Sequence, residues 1–150
     1  MRTGTMGSIA VTILFGLLTS AGSAAEELPF RSAKPIWPKN RETEMNLLVG
    51  FRAVVELAAG DNEKPVLRVA AATIYRAWLN GQFLGCGPAR GPHGYFRVDQ
   101  WDLGGKLRPG KNLLALEVAG YNANSYSLLD QPSFLQAEVV AGQRVLASTV

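Results

Sequence analysis

Thiols, imidazoles and long apolar runs are scarce in this chain, and each shortage removes a class of function. Cys86 is the only cysteine and His93 the only histidine among 150 residues. An intramolecular disulfide is therefore impossible, and a metal site of several Cys or His ligands is excluded. No D-x-D-x-D loop is present, so no calcium site is expected, nor any other cofactor. Serine chemistry lacks its G-x-S-x-G elbow, which leaves His93 as a hydrogen-bonding loop residue. Fifteen Lys and Arg against twelve Asp and Glu give a net charge of +3, but the basic residues are scattered without a run or patch. Nucleic acid is not an expected partner on that ground.

The one strongly apolar run, Ile9 to Leu18, is too short to cross a bilayer comfortably. Arg2 precedes it and the small residues Ser20 to Ala25 follow, which is the layout of a secretory signal peptide cleaved after Ala24 or Ala25. Residues 1–25 are therefore expected to be removed on export, placing the protein outside the cell or in the periplasm, with no membrane contact afterwards. An uncleaved anchor is the alternative. Residues 26–44, bearing Pro29, Pro35 and Pro38 around Trp37, read as an extended lead-in with Trp37 against the core edge. Residues 45–150 form the domain proper.

Period-two patterning dominates that domain. Met45, Leu47, Val49, Phe51, Ala53, Val55 and Leu57 are apolar, while Asn46, Gly50, Arg52 and Glu56 interleave. A half-buried strand fits this better than a helix, because Gly50 and the β-branched valines disfavour helix. Further strands are expected over Val66–Ala72, Thr73–Leu79, Gln82–Leu84, Tyr95–Val98 running on to Trp101–Leu103, Leu114–Val118, Phe134–Val140 and Val145–Thr149. Asn80-Gly81 marks a type I′ hairpin, and Arg108-Pro-Gly-Lys111 a type II turn. Short strands with Gly and Pro punctuation, and no amphipathic helix, predict an all-β antiparallel β-sandwich or jelly roll.

Gly85 to Gly94 reads as a loop, and its glycines have neither the G-x-G-x-x-G spacing nor the G-K-[ST] ending of a phosphate cradle. Sugar binding asks for aromatic faces that stack on pyranose C–H groups and polar side chains that satisfy hydroxyls. Two loops offer them: Arg90, His93, Tyr95, Arg97, Asp99 and Trp101 in the first, and Tyr121, Asn122, Asn124 and Tyr126 in the second. Plainer roles compete: Trp101 and Tyr95 as packing, Arg97 paired with Asp99, and Asn122 and Asn124 as turn residues. Asp99 and Asp102 are the one close carboxylate pair beside these loops, and a small glycosidase using both is the least favoured reading.

The run from Tyr75 to Asp99, with Lys111-Asn-Leu-Leu-Ala-Leu-Glu-Val118, Gly120-Tyr-Asn-Ala-Asn-Ser-Tyr126 and Asp130-Gln-Pro-Ser-Phe-Leu-Gln-Ala-Glu138, resembles the N-terminal, galactose-binding-like β-sandwich of bacterial α-L-rhamnosidase-like glycoside hydrolases. The resemblance covers roughly Asn46 to Thr149. In such enzymes the catalytic carboxylates lie on a downstream helical barrel, and Val150 ends this chain on strand-like sequence, so no catalytic residue is carried over. The resemblance implies a non-catalytic accessory domain, truncated or freestanding, whose partners are a plant or bacterial glycan, rhamnose-containing in one reading, and a catalytic glycosidase domain. A purely structural role, docking on that domain, is the alternative.

Overall fold

The computed structural model describes residues 30–91, 95–125, 128 and 130–150. The expected signal segment 1–25 and the site candidates His93 and Tyr126 lie outside the described residues. Eight strands follow in order: β1 Leu47–Leu57, β2 Pro65–Ala72, β3 Ile74–Leu79, β4 Gln82–Gly87, β5 Asp99–Asp102, β6 Gly110–Gly120, β7 Phe134–Ala141 and β8 Arg144–Ser148. They form two four-stranded antiparallel sheets, β1-β6-β3-β4 and β5-β2-β7-β8, the β-sandwich that the patterning predicts.

The alternation in β1 sorts its faces as expected. Odd-numbered residues turn inward, Val55 fully buried, and Leu48, Gly50, Arg52, Val54 and Glu56 are exposed. Met45 falls outside the strand, because Asn46 at φ 58° turns the chain just before it. Leu114, Leu116 and Val118 of β6 meet Leu67, Val69, Leu135, Ala137 and Val139 of the other sheet in one buried cluster. Each buried Val or Leu contributes about 1.5–3 kcal/mol, whereas the Arg41–Glu44 pair lies at the surface, where solvent screens its attraction. The interleaved apolar faces hold the sandwich together.

The hairpin turns through Asn80 (φ 51°) and Gly81 (φ 82°), the positive pair a type I′ turn needs. Buried Asn112 knots that end of the sandwich: its Oδ1 accepts from Asn80 Nδ2 (2.9 Å) and Arg108 N (3.0 Å), and its Nδ2 donates to Arg108 O (2.8 Å) and Gly110 O (3.1 Å).

Two expectations need correction. Strand β4 does not stop at Leu84. Gly85, Cys86 and Gly87 pair with Ala77, Arg76 and Tyr75, so the loop begins only at Pro88. Conversely, Tyr95–Val98 is not a strand: β5 is confined to Asp99–Asp102, paired with β2 from Val69 to Val66, and the residues before it carry the chain from one sheet to the other.

The lead-in is pinned rather than merely extended. Trp37 packs on Phe51 at 6.0 Å between ring centroids and donates Nε1–H to Arg41 O, which bears out its place at the core edge. Glu138 alternates with the core-facing Ala137 and Val139, so its carboxylate points to the outer face of its sheet. There it is buried, accepting the backbone N–H groups of Arg31 (3.0 Å), Ser32 (3.1 Å) and Ala33 (3.4 Å), with Arg68 Nη1 at 3.4 Å. Removing the acceptor strands the buried Ala33 N–H and the partly buried N–H groups of Arg31 and Ser32. Glu138→Ala should therefore lower unfolding free energy by about 3 kcal/mol, and limited proteolysis at Arg31 should become fast. Urea titration and mass spectrometry of the digest check both.

Candidate functional site

The strand registers bring three sheet-to-sheet crossings to one end of the sandwich. Ala72, the last residue of β2, pairs with Phe134, the first of β7. Ile74, opening β3, pairs with Ala119 near the close of β6, and Tyr75 pairs with Gly87, the close of β4. Thr73 and the connections leaving β4 at Pro88 and β6 at Tyr121 therefore all cross at this end. Thr73 ties two of them, its N–H donating to Ala119 O (3.1 Å) and its Oγ1 accepting from Tyr121 N (3.3 Å).

Between these crossings lies an open cleft of about 380 Å³, lined by Thr73 and Ile74, by Pro88, Arg90, Tyr95, Phe96 and Arg97 of the first loop, and by Leu128 and Gln131 of the second. Tyr95 is 76% exposed, so its ring face is free. Phe96 is held edge-on against Phe134, centroids 4.7 Å apart, which anchors the loop to the start of β7. On the other side of Arg97 a second hollow, about 530 Å³, is walled by Cys86, Ala89, Val98, Asp99, Gln100 and Trp101.

A hydrogen-bond chain fixes the wall between the two hollows. Trp101 Nε1–H donates to Tyr75 Oη (2.8 Å), Tyr75 O–H donates to Asp99 Oδ2 (2.7 Å), and Arg97 Nε–H donates to Asp99 Oδ1 (3.2 Å). Tyr75 is fully buried in β3, while Asp99 and Trp101 belong to β5 on the other sheet, so the chain bridges the sandwich. Gly85 and Gly87 make room for it. A Cβ on Gly85 would overlap the Trp101 ring, and one on Gly87 would overlap Asp99 Oδ2 and sit 2.9 Å from Tyr75 Oη. Close approach across the sheet edge explains these two glycines, which the sequence pattern alone places in a loop.

The predicted residues thus divide. Arg90, Tyr95 and Arg97 meet in the first cleft, and Arg97, Asp99 and Trp101 line the second. Tyr121 holds Thr73 and Asn46 through its backbone N and O while its half-buried side chain lines neither hollow, and Asn122, at φ 42°, donates Nδ2–H to Glu42 O (3.5 Å). Asn124 is exposed and lines neither hollow. The second loop contributes Leu128 and Gln131 instead, which nothing in their sequence setting marks. Asp99 and Asp102 have opposite parity on β5; Asp99 is half-buried under Tyr75, whereas Asp102 is exposed and accepts from Gly104 N (2.7 Å) as a turn cap. They do not converge on one bond. No group of three or more His, Cys, Asp or Glu among the described residues is placed to hold a metal ion.

Burial, reinforced by the hydrogen bond to Asp99, pushes the Tyr75 phenol well above its ordinary value. The folded state therefore holds this proton more tightly than the unfolded chain, whose tyrosine ionises near about pH 10. Its contribution is complete below that pH and drains away as the pH rises further. Tyr75→Phe should cost about 1–3 kcal/mol at pH 8 by leaving the Trp101 Nε1–H without its acceptor and Asp99 Oδ2 without its donor, and should flatten the loss of stability between pH 9 and 11. Urea unfolding across that range measures both effects.

No protein-family model and no curated protein matches the sequence. Solved structures do. The GH78 family rhamnosidase of Bacillus sp. GL1 superposes with a TM-score of 0.77 at 29% identity, over 83% of this chain and 13% of that one. The α-L-rhamnosidase from Dictyoglomus thermophilum shares the fold, with a TM-score of 0.55 at 12% identity over 79% of this chain and 15% of its own. The likeness read from the Tyr75–Asp99 run therefore holds in three dimensions: the chain is similar to one domain-sized portion of GH78 α-L-rhamnosidases, without the catalytic barrel.

Proposed function

We propose that this chain is a secreted, non-catalytic, carbohydrate-binding accessory domain of the α-L-rhamnosidase type. The observation that carries the reading is the meeting of the two inter-sheet loops in one open cleft where an exposed tyrosine ring stands among Arg90, Arg97, Thr73 and Gln131. An aromatic face flanked by fixed polar groups is what a pyranose requires. The wall behind them is rigid, because Asp99 holds Arg97 and Phe134 holds Phe96. A pre-organised shallow site favours modest affinity for a chain of sugars. Removal of residues 1–25 on export belongs to the same reading, and N-terminal sequencing of the exported protein should begin at Ala25 or Glu26.

Titration calorimetry with rhamnose-containing oligosaccharides tests the binding. Heat should appear at millimolar ligand or below, and Tyr95→Ala should weaken it roughly fivefold to tenfold. Absence of heat at millimolar concentrations would remove the sugar from the proposal.

Docking on a neighbouring domain is favoured by a different observation. The outer face of β1-β6-β3-β4 carries large exposed apolar residues, Leu48, Val54, Ile74, Phe83 and Leu113, among the charged Arg52, Glu56 and Lys111. Val54 stands opposite Leu113, and Leu48 and Ile74 flank Ala119 from either side, with the Arg76–Glu117 pair (2.9 Å) between those rows. Several large apolar residues exposed on one sheet face favour an interaction site there. The isolated chain should self-associate with rising concentration, and Val54→Lys with Leu113→Glu should keep it monomeric in sedimentation runs. Monomeric behaviour of the unsubstituted chain at high concentration would count against docking.

A further inference from the structure

We infer that the glycan taken by the Arg90–Arg97 cleft is acidic, carrying a uronate carboxylate. The inference rests on the carbohydrate reading above and specifies its ligand class. Arg90 and Arg97 line the same cleft, together with Thr73, Tyr95 and Gln131, and no Asp or Glu among the described residues lines it. Arg97 spends its Nε on Asp99 and is still 58% exposed, so its outer guanidinium edge faces solvent. Arg90 enters no ion pair among the described residues.

The chemistry of the lining is lopsided. A neutral sugar presents hydroxyls that both donate and accept, and satisfying them calls for acceptors as well as donors. Guanidinium groups only donate. Thr73 Oγ1 already takes the Tyr121 N–H, so among the described residues the side-chain acceptors in the cleft are chiefly Gln131 and the Tyr95 hydroxyl. A carboxylate is the reverse, acceptor-only when ionised, and two guanidinium forks match it geometrically. The apolar walls supplied by Ile74, Phe96 and Leu128 lower the local dielectric and strengthen that attraction. Arg97 already has Asp99 as an acidic partner, whereas Arg90 has none among the described residues, and an anionic ligand supplies one. Tyr95 then stacks on the ring while the arginines hold its carboxylate.

The test uses the full chain and one oligosaccharide in two forms: alternating rhamnose and galacturonate as the free acid, and the same chain with every carboxyl methyl-esterified. Calorimetry at low salt should give the acid roughly tenfold tighter binding than the ester. The acid-to-ester ratio should shrink as salt rises. In Arg90→Gln the ratio should fall toward one, and Arg90→Lys should recover part of it. Circular dichroism of each variant confirms the fold, since Arg90 is exposed in a loop. Equal affinity of acid and ester overturns the inference and leaves sugar binding standing. A preference that survives both Arg90→Gln and Arg97→Gln overturns its placement in this cleft. Inorganic phosphate competing as well as the free acid also overturns it, because the arginines would then be an anion patch without sugar selectivity. Binding of neither form at millimolar concentration removes this inference along with the carbohydrate reading.

Discussion

Strand β5 is only four residues long, and it is an edge strand paired on one side. Such a strand frays unless something besides the ladder holds it. Here that something is the buried Tyr75 hydroxyl, which joins Trp101 and Asp99 of β5 to the opposite sheet. The same contact stations Arg97 between the two hollows, because Asp99 accepts from Arg97 with its other oxygen. One phenol thereby closes the sandwich at its edge and sets the geometry of the wall that carries the candidate site. The absence of side chains at Gly85 and Gly87 is the condition for it, since any Cβ there collides with the ring or the carboxylate.

What could be read in advance followed from local rules. Asn80-Gly81 needed no tertiary partner to specify its turn, the β1 alternation needed only one buried face, and Arg108-Pro-Gly-Lys111 places Gly110 at a positive φ of 86°. The two glycines of β4 misled because a glycine-rich stretch reads as loop by propensity, and the reason for them sits on β5, outside any local window. Glu138 was opaque for a stronger reason: its backbone partners lie 105 to 107 residues earlier in the chain. The site was legible at the level of loops and not of side chains. Composition picked out both crossings, but which residues face the cleft depends on how the chain leaves β6, and there the positive φ of Asn122 turns its amide toward Glu42 while Leu128 and Gln131 reach the cleft.

The slot of about 260 Å³ on the opposite flank, between β1 and β8, marks the contrast with the crossing end. It is lined mainly by inward-facing core residues such as Phe51, Leu114, Leu116 and Val139, with Arg52 and Glu138 at its margins. Its walls are the apolar faces that stabilise the fold. The crossing end instead presents loop residues that lie outside the buried core cluster, which is the usual division between scaffold and working surface.

Under the proposed reading the glycan cleft and the docking face have to coexist on a small molecule, and Ile74 shows how closely they adjoin. It opens β3, stands opposite Ala119 on the outer sheet face, and lines the cleft as well, at 41% exposure. A neighbour covering the outer face would therefore bury one wall of the cleft while leaving Arg90 and Tyr95 accessible on the other. Covering Ile74 excludes water beside the guanidinium groups and lowers the local dielectric, so the attraction for a carboxylate grows when the domain is docked. The two roles need not compete, because the face supplies apolar area and the cleft supplies charge, and the shared residue is one whose burial strengthens both.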